Sequence, residues 1–167
     1  MNQAECIMHL QRTLAKNKTL IQSKQWGKGW MEHDYMAGTT IGRLKQSEFL
    51  FITKGRLKQE TYIYDKYTKE LVGLITFNSL RTRAKIRLNN NKLYSFKCVL
   101  PCWFRWEIRL NQQSLVIYKS SFLKGTVRCL TTDEVLVLAG IFARNSYFLY
   151  AVICAAAIAF LLGSWVG

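Results

Sequence analysis

The middle of the chain alternates apolar and polar residues with a period of two, the pattern of a strand with one buried face. The clearest example is Trp103–Leu110, where four apolar residues alternate with Arg105, Glu107 and Arg109. Clusters of turn-forming residues, as at Asn89–Asn91, separate such runs. From about Gly38 to Leu130 this pattern predicts roughly nine strands in an antiparallel meander, typical of a barrel or a sandwich. We expect a mainly β fold that closes into a barrel.

The first 37 residues do not show this alternation as clearly. Residues 1–37 are basic and polar, and Ile7, Leu10 and Leu14 are spaced as on one face of a helix. We therefore expect a basic N-terminal segment that is partly helical, followed by a β-rich domain over 38–131. The helix could lie on a membrane or on the body of the protein, or be a frayed terminal helix without a specific role.

A long apolar segment follows the predicted strands. Thr131 and Glu134 have the spacing of a capping box, which predicts a helix start. An apolar helix over 132–146 should pack on the barrel, up to the polar break at 144–146. The chain from Tyr147 to Val166 has no charge, and as a helix it would be about 30 Å long, the thickness of a bilayer core.

The pattern leaves three readings of this long hydrophobic C-terminal helix. It could span a membrane over 147–166, be buried in the core of a soluble domain, or fill the barrel with Val135–Ala143 and enter the membrane with the rest. All Lys and Arg residues precede Tyr147. The positive-inside tendency then predicts a single-pass protein with a cytoplasmic N-terminal domain. Small residues in the tail, such as Ala155 and Gly163, would allow a helix–helix partner.

Charge is distributed unevenly along the chain. The net charge is +14, and between Leu80 and Leu130 Glu107 is the only acid among many Lys and Arg residues. Such a surplus attracts polyanions, either nucleic acid or an anionic lipid surface.

The candidate binding residues follow from this basic stretch. Arg81, Arg83, Lys85 and Arg87 occur at every second position, which on a strand places them in one row on one face. A strand face in contact with solvent usually has charged side chains of both signs. A row of positive charges alone therefore favours an anionic partner. The predicted lipid-binding residues are Arg81, Arg83, Lys85, Arg87, Arg105 and Arg109. Nucleic acid is the less favoured partner, because the aromatic residues alternate with the cations and should face the core.

The sequence offers no recognisable catalytic centre. The two histidines, His9 and His33, both lie in the polar N-terminal third, and no glycine-rich phosphate loop follows a strand. Cys98 and Cys102 match no strong zinc pattern, and the odd number of scattered cysteines favours a reducing compartment. We therefore expect no enzyme, no metal and no cofactor.

Several segments resemble the tubby C-terminal-like superfamily, which includes tubby domains, LURP-one-related proteins and phospholipid scramblases. The resemblance covers about Phe49–Ala143 and rests on the segments Tyr62–Asp65, Glu70–Gly73, Asn90–Phe96, the strand at Gly125 and Asp133–Phe142. It implies a closed barrel of about twelve antiparallel strands threaded by a hydrophobic C-terminal helix. It also implies binding of phosphoinositide headgroups on a basic strand face.

Three functions remain for the chain. The first is a noncatalytic, membrane-anchored β-domain whose basic face binds anionic lipid headgroups. The second is a phospholipid scramblase-like protein, which the lack of an acidic calcium loop disfavours. The third is a soluble tubby-like binding module whose C-terminal helix is buried in the barrel.

Overall fold

A computed structural model describes residues 5–34, 36–55, 59–99 and 104–163 of the chain. Each strand pairs antiparallel with the next one, and the last strand pairs with the first, so that the sheet closes into a twelve-stranded barrel. The strands are β1 (Cys6–Thr13), β2 (Lys18–Ser23), β3 (Gly27–Asp34), β4 (Thr39–Leu44), β5 (Ser47–Lys54), β6 (Glu60–Asp65), β7 (Leu71–Phe77), β8 (Arg83–Leu88), β9 (Leu93–Cys98), β10 (Arg105–Leu110), β11 (Gln113–Ser120) and β12 (Lys124–Cys129). The predicted fold class, a mainly β barrel with a long C-terminal helix, is confirmed.

The predicted N-terminal helix is wrong. Along β1 buried and exposed residues alternate, with Met8 and Leu10 inside and Ile7 exposed. A 3₁₀ helix, Leu14–Lys16, is the only helical part of this segment among the described residues. Pairing of β1 with both β12 and β2 satisfies its backbone groups, and burial along β1 has the period of two of a strand rather than the spacing of a helix. The three N-terminal strands belong to the barrel and raise the strand number from the predicted nine to twelve.

One continuous helix, α1 (Glu134–Gly163), follows β12. Its N-cap is Asp133, whose Oδ1 accepts a hydrogen bond from the Leu136 amide at 3.0 Å. The predicted capping box starting at Thr131 is therefore wrong by two residues, because Thr131 Oγ1 accepts from the Asp133 amide instead. Glu134 also pairs with Lys45 in the turn between β4 and β5, at 3.3 Å.

The first half of α1 lies inside the barrel and forms its core. Phe142 stacks on Phe51 of β5 with ring centroids 5.0 Å apart, and the Tyr118 hydroxyl donates to the Val137 carbonyl at 3.0 Å. A Cβ at Gly140 would overlap the Tyr118 ring, so only glycine allows β11 to approach this closely. The helix predicted to pack on the barrel instead passes through it.

The predicted polar break at 144–146 does not interrupt the helix. Arg144 and Asn145 are almost fully buried at the mouth of the barrel. The Arg144 guanidinium donates to Ser120 Oγ and to the Ser121 carbonyl, and Asn145 Nδ2 donates to Thr19 Oγ1 at 3.2 Å. The strands therefore supply partners for these polar groups, and the helix continues without a kink-forming residue.

The second half of α1 leaves the barrel and is exposed. Tyr147 and Phe148 still pack on Trp106, with ring centroids 5.6 and 5.2 Å from it. Large apolar side chains beyond them are more than half exposed, namely Val152, Ile153, Ile158, Phe160, Leu161 and Leu162. The helix is long and apolar enough to cross a membrane. Residues 164–166 of the predicted tail lie outside the described residues.

The helix gives the barrel two distinct ends. We call the end next to Glu134 the start end; it includes the β4–β5 turn, which contacts the helix there. We call the opposite end, next to Asn145, the exit end. Because connections of a meander alternate between ends, the loops that precede the even-numbered strands all lie at the exit end.

Candidate lipid-headgroup surface

Three of the four residues predicted to form a basic row lie in one row in the structure. Arg83, Lys85 and Arg87 are exposed on the outer face of β8, while Ala84 and Ile86 between them are buried. No carboxylate of the described residues forms a salt bridge with these three cations. Their charges are therefore available to a ligand in solution.

Arg81 does not belong to that row, which corrects the prediction. It has a positive φ of 54° in the loop between β7 and β8, where its amide donates to the Asn78 carbonyl at 3.0 Å. Its guanidinium lies over the rings of Phe77 and Tyr150 and reaches the Ser146 carbonyl at 3.5 Å. Arg81 thus contacts the base of the emerging helix rather than the outer wall.

Arg105 and Arg109 lie on the outer face of β10 but are held by the acid between them. Glu107 is 2% exposed; its carboxylate accepts from Arg105 and from Arg109, each at 2.7 Å, and from Ser114 at 2.8 Å. Burial alone would raise the pKa of Glu107. The hydrogen bonds from Ser114 and Arg109, with the charge of Arg109, outweigh burial and hold that pKa below its ordinary value. These two arginines are therefore partly neutralised.

The structure adds cations that the sequence prediction did not include. Lys97 of β9 is the register partner of Arg83, and Lys119 of β11 is the register partner of Arg105. Lys124 of β12 is exposed near them, and Arg128 pairs with Glu5. Alternation within each strand could have indicated that Lys97 and Lys119 face outward. The position of Lys97 beside Arg83, and of Lys119 beside Arg105, depends on strand register, which a local pattern does not give.

The other half of the barrel wall has mixed charge. On β2 to β7, Lys18 pairs with Glu32 at 3.0 Å, and Glu48 pairs with Lys66 at 2.7 Å. Acids also appear on β3 and β6, whereas Glu107 is the only acid on strands β8 to β12. We call the outer face of β8–β12 the basic wall.

A groove of about 900 Å³ opens at the exit end between the basic wall and the strands β1 and β2. Arg105, Lys119 and Lys124 line it together with Ser121 and the exposed ring of Phe104, and no acid is among its lining residues. Its size matches that of a small-molecule site. Phe104 was expected in the core, but β10 begins after it, so its ring stays outside.

A buried polar cluster lies inside the barrel just below the exit end. His33 Nδ1 is 2.9 Å from Thr40 Oγ1, and His33 Nε2 is 3.2 Å from Asn145 Nδ2. Burial, reinforced by the nearby charge of Arg12, lowers the pKa of His33 to about 4. The imidazole is therefore neutral near pH 7, and the cluster joins the helix to β2, β3 and β4.

The cysteines are dispersed through the structure. Cys6 and Cys129 are buried thiols that face each other across the β1–β12 pair, and Cys98 is partly buried at the end of β9. Cys102, which with Cys98 matches no strong zinc pattern, lies outside the described residues, as do Pro101 and Trp103. In the described part of the chain no three His, Cys, Asp or Glu side chains converge as metal ligands would.

Comparison of the chain with models of protein families, with curated proteins and with solved structures gives no match in any of the three. The resemblance to the tubby-like superfamily therefore stays a prediction. The twelve strands and the threaded helix agree with the fold that this resemblance implies, but a fold alone does not define a function.

Proposed function

We propose that the protein is a noncatalytic, membrane-anchored β-barrel whose basic wall binds anionic lipid headgroups of the phosphoinositide type. The observation on which this proposal rests most is the basic wall itself. Arg83, Lys85 and Arg87 share one exposed face with Lys119 and Lys124, and none of them pairs with a described carboxylate. Near an anionic leaflet each such cation contributes about 1 kcal/mol.

The exposed half of α1 supports a membrane anchor. Burying a large apolar side chain stabilises a protein by about 1.5–3 kcal/mol. Burial of the six exposed ones would therefore give on the order of 10 kcal/mol of hydrophobic free energy. That is comparable to the whole stability of a typical domain. Insertion into a bilayer would recover this free energy, and the Lys and Arg residues before the tail would keep the barrel on the cytoplasmic side.

The arrangement of aromatic residues favours lipid over nucleic acid. Tyr94, Phe96 and Trp106 alternate with the cations but are buried in the core, so they are not available to stack on bases. The exposed tail likewise disfavours a soluble module with a fully buried helix. Scrambling stays the alternative, and it would require a polar path for headgroups that one apolar helix does not offer.

The anchor is tested by alkaline-carbonate extraction of membranes that contain the full chain. We expect the parent protein in the membrane pellet and a variant with Ile153→Lys, Ile158→Lys and Leu162→Lys in the supernatant, because these side chains are exposed. A matched control with Ile7→Lys and Leu20→Lys changes exposed apolar residues on the barrel wall and should remain in the pellet. If carbonate extracts the parent protein into the supernatant, the proposal of a membrane anchor is refuted.

Headgroup binding is tested by calorimetry with the full chain in uncharged detergent. We expect short-chain phosphatidylinositol bisphosphate to bind and short-chain phosphatidylcholine not to bind. Arg83→Ser, Lys85→Ser and Arg87→Ser together should weaken binding by at least about tenfold, if each contact is worth about 1 kcal/mol. The matched set Lys28→Ser, Arg43→Ser and Lys54→Ser lies on the other half of the barrel and should change binding little. Equal losses from both sets would refute a specific role for the basic wall.

A further inference from the structure

The loops at the exit end present apolar residues to solvent. Met36 between β3 and β4 is 100% exposed, and Leu80 between β7 and β8 is 62% exposed. Phe104 before β10 and Leu123 before β12 are 59% and 45% exposed. Among the described residues, four of the six loops that surround the emerging helix thus each have a large apolar side chain in water.

The start end is different. Its turns between strands are built mainly from polar residues, as in Lys45–Gln46, Asn89–Lys92 and Asn111–Gln112. Tyr67 is exposed in one of these turns, and Ile7, Leu71 and Leu93 are exposed near the strand ends on this side. Aliphatic residues at loop tips are therefore a feature of the exit end.

Cations surround the apolar loop tips. Near the exit end lie Lys16, Lys54, Arg81, Arg83, Lys97, Lys119 and Lys124. The acids of this region are fewer, and two of them have partners: Asp34 accepts from the amides of Met36 and Ala37, and Glu32 pairs with Lys18. Apolar tips inside a ring of positive charge match the chemistry of an anionic bilayer surface, with acyl chains below phosphates.

The base of the helix is fixed by the same loops. The Phe122 ring packs edge-on against Phe148 at 5.6 Å, Arg81 reaches Ser146 on another side, and Arg144 binds Ser121. Since α1 is continuous from the barrel interior to Gly163, the direction of the exposed half is set by the barrel. A helix that crosses a bilayer would therefore point the exit end at that bilayer.

We propose that the exit end, together with the edge of the basic wall that adjoins it, is the surface that rests on an anionic lipid bilayer. Met36, Leu80, Phe104 and Leu123 enter the interfacial layer, and the surrounding cations lie at the phosphates. This inference rests on the membrane anchor of the proposed function and specifies which surface of the barrel touches lipid.

The geometry predicts a gradient along β8. Two residues of a tilted barrel strand advance about 5 Å along the barrel axis, so Arg87 lies about 10 Å further from the exit end than Arg83. That distance is about one Debye length at physiological salt. Arg83 should therefore contribute most to membrane contact, and Arg87 least.

The test is photocrosslinking of the full chain in phosphatidylcholine vesicles with and without phosphatidylserine. Benzoylphenylalanine replaces Met36 or Leu123 at the exit end, Gln46 or Gln112 at the start end, and Ser95 in the middle of the basic wall; all five are exposed. Mass spectrometry then counts lipid adducts. We expect adducts from Met36 and Leu123 in both vesicle types, and several-fold fewer from the other three positions.

Other outcomes overturn the inference. Equal adducts from Ser95 and Met36 would mean that the wall lies flat on the membrane. Protein adducts at Met36 and Leu123 would mean that a second polypeptide covers the exit end. No lipid adducts at either position, from a protein that resists carbonate extraction, would mean that the barrel stands away from the bilayer.

A second set of variants tests the expected decrease in membrane contact from Arg83 to Arg87. It also distinguishes this inference from the proposed function. With phosphatidylserine present, Arg83→Ser with Lys119→Ser should lower the adducts at Leu123 to the number found in uncharged vesicles, and Arg87→Ser with Lys92→Ser should not. Equal loss from both pairs would contradict an exit-end contact. If phosphoinositide does not bind in detergent, the proposed headgroup recognition is refuted. The exit-end contact is not, because the adducts expected in uncharged vesicles do not require headgroup recognition.

Discussion

Asn145 of the helix and His33 of β3 are joined inside the barrel, with Asn145 Nδ2 3.2 Å from His33 Nε2. The same amide group donates to Thr19 Oγ1, and its Oδ1 accepts from Arg144 at 2.8 Å. One side chain of α1 thus binds two strands and a neighbouring guanidinium. This contact ties the helix to the wall at the level where the helix leaves the barrel.

Replacing Asn145 should destabilise the barrel strongly. Asn145→Ala leaves His33, Thr19 and Arg144 each without one hydrogen-bond partner in a buried site, at a cost of about 2–4 kcal/mol. The measurement is the free energy of unfolding from denaturant titration in uncharged detergent. Gln46→Ala, at an exposed turn, is the control and should change that free energy by less than about 0.5 kcal/mol. A small effect of Asn145→Ala would show that water replaces the lost partners.

His33 should make stability depend on pH in the acid range. Its folded pKa is about 4, below the ordinary value of 6.5, so the unfolded chain binds a proton more readily. The free energy of unfolding should therefore fall as pH drops from about 6.5 towards 4, by roughly 3 kcal/mol in total. His33→Gln should flatten this part of the curve, whereas His9→Gln, at an exposed position, should leave it unchanged. An unchanged slope in His33→Gln would assign the acid sensitivity to the carboxylates.

Gly140 should be essential for threading the helix. Alanine usually favours a helix over glycine by about 1 kcal/mol, but a Cβ at this position would overlap the Tyr118 ring. We expect Gly140→Ala to lower the free energy of unfolding by about 1–3 kcal/mol, the usual cost of overpacking. Adding Tyr118→Phe removes the hydroxyl nearest to the new methyl group and should restore part of the loss. If the double variant is no more stable than Gly140→Ala, the clash is not the cause.

Glu107 should limit the charge of the basic wall. Glu107→Gln removes the carboxylate that holds Arg105 and Arg109, so both guanidinium groups become available to anionic ligands. Short-chain phosphatidylinositol bisphosphate should then bind the variant about tenfold more tightly, because each cation contributes about 1 kcal/mol. Ser114→Ala removes one hydrogen bond to Glu107 but keeps the charge, and it should leave affinity unchanged. Weaker binding by Glu107→Gln would mean that the carboxylate positions the arginines for the ligand.

The local alternation of apolar and polar residues predicted much of this fold. It failed where contacts with residues distant in the sequence determine the structure. Roughly nine strands were predicted between Gly38 and Leu130, and the described part of that range has nine, β4 to β12. Ile7, Leu10 and Leu14 fit helical spacing equally well, and only pairing with β12 makes this segment a strand. Of the candidate surface, alternation predicted the β8 row correctly. It could not show the loop conformation that removes Arg81, or the register that brings Lys97 beside Arg83 and Lys119 beside Arg105.

The barrel closes where β1 pairs with β12, with Cys6 opposite Cys129, and this pairing of the first strand with the last affects how the chain folds. Contacts of such long sequence separation make folding slow, since the loop-closure entropy is lost before the pairing is gained. Until β1 joins β12, an incomplete barrel has two open sheet edges, β12 and β1. Unpaired edges of this kind exchange strands between molecules. Any variant that weakens β1 should therefore yield swapped dimers or aggregates before it yields an unfolded monomer.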